Sequence, residues 1–249
     1  IEGNLNLEKL PDGHKAEATL IVYLKDLVTK AQLELNYTIY PDCDVISRSC
    51  KLLNNGEAII KLRKLMSLGF DCLQEELEVI TFNGLWAKEV QKKVSKLQGT
   101  IINESRVGFS SSRTNPGFIL KKPLTTEDQG EAWGFNLIYS GSHYSSISLD
   151  LRGSVRIQTG IQPERFNLEI KPGEAFETPV AVMSYSDQGL NDLSHHFHDF
   201  VNNHLVNPHW ANRERPILIN SWEAFMFSFD QNKLLSLAKK AKDSGVELF

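Results

Sequence analysis

The spacing of apolar residues changes once along this chain, and that change limits the folds it can adopt. Up to about Asp187, apolar residues form short runs or alternate with polar ones, and Gly, Pro and Asn separate the runs. In Gln32–Tyr40 the alternation has the period of a β-strand and puts four apolar side chains on one face of a sheet. These four are Leu33, Leu35, Tyr37 and Ile39. Many short strands at regular spacing predict a sandwich of two antiparallel sheets.

The predicted strands of this region are three to nine residues long. In chain order they are Ala18–Leu24, Gln32–Tyr40, Val45–Leu53, Ala58–Leu65, Leu77–Phe82, Phe118–Leu120, Gly134–Ser140, Ser145–Leu151, Val155–Ile161, Phe166–Ile170 and Thr178–Tyr185.

The region after Asp187 has a helical period. Apolar residues in Gln188–Leu205 are three or four positions apart, which predicts an amphipathic helix. The polar, proline-containing segment Asn207–Pro216 then predicts a linker between domains.

The last residues predict a βαβ unit of a parallel sheet. Ile217–Ser221 has the composition of a short strand, and Lys233–Asp243 that of a helix with Asp230 as its N-cap. Gly245 ends the helix, and Val246–Phe249 begins a second strand. Since parallel strands need partners on both edges, we expect the chain to stop inside a domain. The predicted domains are a sandwich over 1–187, a linking helix and linker over 188–215, and the truncated start of a barrel over 216–249.

Composition and charge exclude some classes of function. The net charge is −4 and the basic residues are scattered, so we expect no nucleic-acid partner. No apolar run approaches the ~18 residues that span a membrane, so we expect no membrane partner. Three cysteines without a CxxC pair predict a reducing compartment, and hence a cytoplasmic protein.

One long segment resembles a known family. Residues 215–249 read RPILINSWEAFMFSFDQNKLLSLAKKAKDSGVELF. They resemble the opening of the catalytic barrel in α-galactosidases of glycoside hydrolase family 36, whose pattern is R-P-V-L-I-N-N-W-E-A, a helix, then G-I-E-L-F followed by V-L-D-D-G-W. The chain departs from that pattern at Ser221, and Ser110–Thr114 replaces a histidine-containing stretch. Further segments that agree with the family are Val45–Leu53, Gly84–Glu89, Glu104–Gly108, Asn115–Pro116, Gly134–Gly141, Ile157–Ile161 and Tyr185–Leu190.

The resemblance covers nearly the whole chain and implies both a fold and a function. The fold is a mainly β protein, with a large antiparallel β-supersandwich of the galactose-mutarotase-like type. The first strand, the helix and part of the second strand of a (β/α)8 TIM barrel follow it. The function is that of a retaining α-galactosidase, which removes terminal α-galactose from oligosaccharides such as melibiose and raffinose. Its catalytic aspartates are on later barrel strands, so we expect no catalytic residue here and no activity of these 249 residues alone. The resemblance implies no cofactor, and we expect a homo-oligomer.

Two residues at the predicted end of the first barrel strand are candidates for substrate binding. Barrel active sites lie at the C-terminal ends of the strands, and alternation puts Leu218, Asn220 and Trp222 on one side. Trp222 would offer a flat apolar surface to galactose, and Asn220 would orient its neighbours by hydrogen bonds. The alternative is that Trp222 only plugs the end of the barrel. Glu223 lies on the opposite side of the predicted strand, which favours a structural role.

Other chemically suggestive residues are assigned structural roles. The spacing of five histidines matches no zinc motif and predicts no metal site. They are His195, His196, His198, His204 and His209. The run Glu75, Glu76 and Glu78 is expected to be surface charge. Four aromatic residues, Trp86, Trp133, Tyr139 and Tyr144, are expected to be core or cross-strand residues rather than a second sugar site.

Two other functions remain open at this point. The first is a non-catalytic carbohydrate-binding sandwich, which explains residues 1–187 but gives the βαβ segment no role. The second is a related α-galactosyl transferase or α-N-acetylgalactosaminidase with the same domain plan. Nothing in these residues separates the second alternative from an α-galactosidase.

Overall fold

A computed structural model describes residues 18–73 and 76–249. Residues 1–17 of the predicted sandwich domain and Glu75 of the acidic run lie outside the described residues. The chain divides into two compact units, of which the first ends at Leu205 and the second is Val206–Phe249.

Within the described residues, the first unit contains fifteen strands, whose antiparallel pairing confirms the predicted mainly β class. In chain order they are β1 (Ala18–Lys25), β2 (Ala31–Tyr40), β3 (Val45–Asn54), β4 (Ile60–Leu62), β5 (Met66–Leu73), β6 (Glu78–Leu85), β7 (Lys88–Lys96), β8 (Thr100–Glu104), β9 (Thr114–Lys121), β10 (Ala132–Ile138), β11 (His143–Leu149), β12 (Ser154–Ile161), β13 (Leu168–Ile170), β14 (Ala175–Glu177) and β15 (Val180–Ser186).

These strands form one large sheet and two smaller ones. The nine-stranded sheet has the order β1-β2-β3-β15-β10-β9-β6-β7, with β14 paired to β3. A four-stranded sheet has the order β5-β12-β11-β8, and β13 pairs with β4. Every pair of named strands is antiparallel.

The main core combines apolar residues from the nine-stranded and four-stranded sheets. Phe118 and Phe135 stack with their ring centroids 5.1 Å apart, and both side chains are buried. Burying one such side chain stabilises the fold by about 1.5–3 kcal/mol. Other buried members of this cluster are Leu68, Leu77, Val79, Leu97, Leu120, Leu137, Ile147, Val155, Ile157 and Ala181.

The predicted amphipathic helix is present and packs against the nine-stranded sheet. It comprises α1 (Leu190–Phe200) and a π-helical turn (Val201–Leu205). Leu193 and Phe197 cross β10 at Gly134, where an added Cβ would lie 2.3 Å from the Phe197 ring. Gly134 therefore allows the helix to approach the sheet closely.

Several strand predictions need correction, and β8 and β14 were not predicted. The predicted strand Ala58–Leu65 is shorter than expected, since β4 covers only Ile60–Leu62 and pairs with β13, and the next strand, β5, begins at Met66 and pairs with β12. The chain changes sheets between Leu62 and Met66. Strand β7 was not predicted, since its sequence KEVQKKVSK is dominated by lysine. It forms an exposed edge of the nine-stranded sheet, where charged side chains prevent pairing with other molecules.

The alternation in β2 does not separate a buried face from an exposed one. Ile39, on the predicted apolar face, is 46% exposed, whereas the neighbouring Tyr40 is buried. Strand β2 lies next to the edge strand β1, so local position in the sheet matters more than the pattern.

The second unit contains three helices, α2 (Pro208–Ala211), α3 (Trp222–Phe225) and α4 (Gln231–Asp243). Helix α4 confirms the predicted helix, and the Asp230 carboxylate accepts a hydrogen bond from the Lys233 amide at 2.9 Å. Leu218 and Leu248 form a parallel bridge, as expected for a βαβ unit. Within the predicted strand Ile217–Ser221, only Leu218 forms a β-bridge, and its partner is Leu248.

Among the described residues, no helix combines the length and the apolar character needed to cross a bilayer.

Candidate functional site

The candidate site begins where the chain pairs with Leu248 in the second unit. The Ile217 carbonyl accepts hydrogen bonds from the amides of Glu247 and Leu248 at 3.0 and 3.1 Å, and the Ile219 amide donates to the Leu248 carbonyl at 3.1 Å. The Glu247 carboxylate accepts from the Ile217 amide at 2.7 Å. These bonds fix the backbone just before Asn220.

Asn220 and Trp222 are brought together, but not by strand alternation. The Asn220 side-chain oxygen accepts a hydrogen bond from the Trp222 amide at 2.8 Å, so Asn220 turns the chain into α3. Trp222 is the first residue of that helix rather than the last of a strand. The side-of-strand argument for Trp222 and Glu223 is therefore wrong, since both residues are helical.

A tight turn after α3 gives Trp222 an aromatic partner. Met226 has a φ of 49°, in the left-handed region, and its amide donates to the Trp222 carbonyl at 2.7 Å. The turn places the ring of Phe227 edge-on to the indole, with centroids 5.0 Å apart. A non-glycine residue in this conformation stores strain of about 1–3 kcal/mol, which is common at functional sites.

The resulting surface can contact a sugar. Trp222 is 48% exposed, so part of its ring is open to a ligand. The apolar face of a pyranose stacks well on such a ring, while an adjacent amide can donate to its hydroxyl groups. The carbonyl oxygen of Asn220 is used in the bond to Trp222, which leaves its NH2 group as the donor.

The five histidines do not converge on one point among the described residues. His195 and His198 are neighbours on α1, with ring centroids 6.2 Å apart. His209 is in the second unit, where its Nε2 lies 3.2 Å from an Arg213 guanidinium nitrogen. His204 is buried.

Ser184, His196 and Asp192 have the order of a catalytic triad but cannot act as one. The Ser184 hydroxyl lies 2.9 Å from His196 Nδ1, and His196 Nε2 lies 3.4 Å from Asp192. However, that hydroxyl donates its proton to the backbone carbonyl of Asp44 at 2.8 Å. The histidine therefore donates to the serine and does not accept its proton, so no nucleophile is activated.

In the acidic run, Glu78 is not a free charge on the surface but forms an ion pair. Glu78 lies 2.7 Å from the ammonium group of the buried Lys121. Lys121 also donates to the carbonyls of Lys122, Pro123 and Thr125. The expectation for Glu78 is therefore wrong, because strand alternation does not reveal a buried lysine on the neighbouring strand β9.

The four aromatic residues of the sandwich do not form one surface. Trp133 and Tyr139 pack against the main core, and Tyr144 carries Lys64 over its ring at 5.5 Å. Trp86 is 84% exposed at the β6–β7 turn.

One polar cavity of about 330 Å³ lies at the edge of the four-stranded sheet. Arg106 lines it and forms ion pairs with Glu104 and Glu164. Because these charged groups satisfy one another, the cavity does not need a ligand to balance its charge.

A further cluster lies around His204 and has no signature in the local sequence. His204 Nε2 lies 3.0 and 2.9 Å from the two carboxylate oxygens of Asp42, which is 162 residues away in sequence. Cys43 belongs to the same cluster. Burial, followed by the charge of Asp42, raises the pKa of the Cys43 thiol to about 12, so it is not a nucleophile at neutral pH. No local pattern connects the two segments.

Comparison with known proteins decides the family. The model of the glycosyl hydrolase family 36 N-terminal domain matches residues 1–171, and the melibiase model matches residues 175–249. The chain belongs to glycoside hydrolase family 36. Its predicted resemblance to that family is thus confirmed.

Family 36 relatives are similar to this chain over its whole length. An α-galactosidase from Lactobacillus acidophilus is 38% identical over 253 residues, which cover 100% of this chain and 35% of the relative. The chain therefore spans about a third of that relative's length.

Solved structures of family 36 share the fold. The α-galactosidase from Lactobacillus brevis aligns with a TM-score of 0.86 at 38% identity, covering 96% of this chain and 33% of the other. A variant α-galactosidase from Geobacillus stearothermophilus, in complex with raffinose, aligns with a TM-score of 0.83 at 37% identity over 92% of this chain and 32% of the other. The described residues thus have the architecture of the family 36 sandwich and the start of its melibiase domain.

Proposed function

We propose that the protein containing this chain is a retaining α-galactosidase, which hydrolyses terminal α-galactosyl residues of oligosaccharides such as melibiose and raffinose. The observation that carries the proposal is the parallel pairing of Leu218 with Leu248 around α4, in a chain of family 36. A carbohydrate-binding sandwich has no use for such a unit, whereas a (β/α)8 barrel begins with one.

The chemistry would come from barrel strands that follow Phe249 in the relatives. A retaining glycosidase uses two carboxyl groups about 5–5.5 Å apart, one as nucleophile and one as acid and base. In this proposal the described residues bind and orient the sugar but transfer no proton. Glu247 would not serve as a catalytic carboxylate, since it already accepts the Ile217 amide.

Asn220 and Trp222 would form part of the galactose subsite. The exposed indole would stack on the apolar face of galactose, and the Asn220 NH2 group would donate to a hydroxyl oxygen. The bond between the Asn220 oxygen and the Trp222 amide supports this role, because it holds both groups in one fixed arrangement.

The activity can be tested on the protein that contains this chain. We expect hydrolysis of an aryl α-galactoside and of raffinose, with α-galactose as the first product in a proton NMR time course. First formation of β-galactose would contradict retention. Preference for an aryl α-N-acetylgalactosaminide, or sugar transfer without hydrolysis, would support the related activities instead. Binding of galactosides without turnover would favour a carbohydrate-binding protein.

We also propose that the protein is a homo-oligomer, on the evidence of one edge of the nine-stranded sheet. Within the described residues, β1 pairs only with β2, and its apolar side chains are exposed. A long apolar edge strand favours pairing with another chain. Ile21→Lys should lower the molar mass measured by light scattering, whereas Val94→Lys on the lysine-rich edge β7 should not. An unchanged mass for both variants would exclude β1 as the contact.

A cytoplasmic location remains part of the proposal. Its support is that Cys43, Cys50 and Cys72 are all free thiols, as a reducing compartment maintains them. Immunofluorescence or cell fractionation of the source organism would test it.

A further inference from the structure

Three side chains with different donor atoms converge between the β2–β3 turn and the π-helical turn. One ligand atom from each of Asp42, Cys43 and His204 lies within 4.8 Å of the others. Cys43 and His204 are buried, whereas the Asp42 carboxylate is about half exposed and gives a path from solvent. The π-helical turn that carries His204 is a local irregularity of a type frequent at functional sites.

The aromatic surroundings hold His204 in place. Its ring centroid lies 4.6 Å from that of Tyr40 and 5.8 Å from that of Phe200. The ring therefore has little freedom to leave the cluster. Such restriction lowers the entropy lost when a ligand binds.

The charge around the cluster is negative and is not balanced by lysine or arginine. Among the described residues, the ion pairs of Asp42, Asp44 and Asp192 are all with His204 or His196. These histidines carry charge only when protonated. The Asp42 carboxylate has no lysine or arginine partner among the described residues, which favours a cation at the cluster.

Cys43 adds a donor that a hydrogen-bonded Asp–His pair does not require. Its ligand atom lies within 4.8 Å of those of Asp42 and His204, and the thiol is 3.7 Å from the Tyr40 carbonyl. Cys43 and His204 are both buried, so these donors meet in a sheltered position. A thiol, an imidazole and a carboxylate that meet in this way have the donor atoms of a zinc site.

We propose that Asp42, Cys43 and His204 bind a Zn²⁺ ion, with water as the fourth ligand. Zinc accepts sulfur, nitrogen and carboxylate oxygen in one tetrahedral site, with bonds of about 2.0–2.3 Å. Such bonds place neighbouring ligand atoms about 3.3–3.8 Å apart, so donors within 4.8 Å need only a small contraction. The thiol becomes a thiolate on binding and releases its proton to water. The ion fastens the β2–β3 turn to the end of the helical segment, within the first unit.

This inference does not depend on the proposed glycosidase activity, and its test uses metal binding alone. The purified protein that contains this chain is treated with a chelator and titrated with Co²⁺. We expect one equivalent per chain to produce a thiolate-to-cobalt absorption band in the near ultraviolet, and Zn²⁺ to remove it. Zn²⁺ at about 100 times its dissociation constant should raise the melting temperature by about 5–10 °C.

Matched variants distinguish this site from adventitious binding. Cys43→Ser should abolish the absorption band, whereas Cys72→Ser should retain it. Asp42→Asn, at a half-exposed position that does not threaten folding, should weaken Zn²⁺ binding more than about tenfold. The proposal would be overturned if the wild type showed no stoichiometric band. It would also be overturned if Cys43→Ser or Asp42→Asn titrated like the wild type, or if Cys72→Ser lost the band.

Discussion

The two units of this chain differ in how far their apolar side chains are buried. In the first unit, residues such as Phe118 and Ile157 are buried between two sheets that the unit itself supplies. In the second unit, Val206–Phe249, Ala241 is the buried apolar residue, while Trp222 and Phe227 are exposed.

The difference shows that similar sequence patterns lead to burial only where a partner surface exists. A single βαβ unit cannot cover both faces of its strands. The sandwich has its own second sheet, so its strands become core. The exposed apolar residues of the second unit agree with the proposal that it is the beginning of a barrel.

The largest effect is expected from a change in the sandwich core. Phe118→Ala should lower the free energy of unfolding by about 3–5 kcal/mol, because it removes a stacked, buried ring. Phe227→Ala, at a position that is 86% exposed, should change it by less than about 0.5 kcal/mol. Urea denaturation followed by circular dichroism gives both values. Equal losses of unfolding free energy in the two variants would contradict the difference in burial between the units.

The next effect concerns the function of the exposed surface. Trp222→Ala should reduce kcat/KM for an aryl α-galactoside by about 10- to 100-fold, as expected when one stacking contact is lost. The melting temperature of the sandwich should stay the same. Trp86→Ala, an exposed tryptophan of the first unit, serves as the control. A similar loss in both variants, or in neither, would remove Trp222 from the galactose subsite.

A smaller effect is expected at the N-terminus of α4. Asp230→Ala should destabilise the helix by about 1 kcal/mol, because the Lys233 amide loses its acceptor. Asp230→Asn should largely preserve the cap. Hydrogen exchange of the α4 amides measures the change. Exchange that is unaffected by Asp230→Ala would mean that other contacts determine the stability of this helix.

The smallest expected effect is a pH dependence of the stability of the sandwich. Burial lowers the pKa of His143 below its usual value of 6.5, and its Nε2 lies 2.9 Å from the Thr114 carbonyl. The unfolded chain therefore binds a proton more readily than the folded one. This contribution to stability is complete above the unfolded pKa and is lost as pH falls from about 6.5 through the lower folded pKa.

His143→Gln should reduce that dependence, since glutamine does not titrate. Urea midpoints of the wild type and variant between about pH 7.5 and pH 5.5 give the comparison. Parallel curves for the two proteins would show that His143 does not contribute.

Most of the fold was accessible from local patterns. Strands β1, β2 and β3 match their predicted ranges within two residues, and α4 begins at its predicted cap. Strand β7 was missed because its lysine-rich sequence has no apolar alternation. Its hydrogen bonds come from the neighbouring strand β6, which no local pattern reveals.

The candidate site was predicted only in part. Asn220 and Trp222 were expected at the end of a strand, and their role in substrate binding stays a prediction. The tertiary structure makes it a hydrogen-bonded turn into α3, because the parallel pairing is limited to Leu218 and Leu248. The geometry of the proposed subsite thus depends on where the parallel pairing ends.

The sequence by itself determined the family, the mainly β class and the positions of the two amphipathic helices, since periodicity and a 35-residue motif are local properties. Only the tertiary structure decided the order of the strands, the aromatic contact between Trp222 and Phe227, and the meeting of Asp42 and Cys43 with His204. The physical reason is that contacts across 162 residues arise from sheet order and helix packing, which no short window of sequence contains.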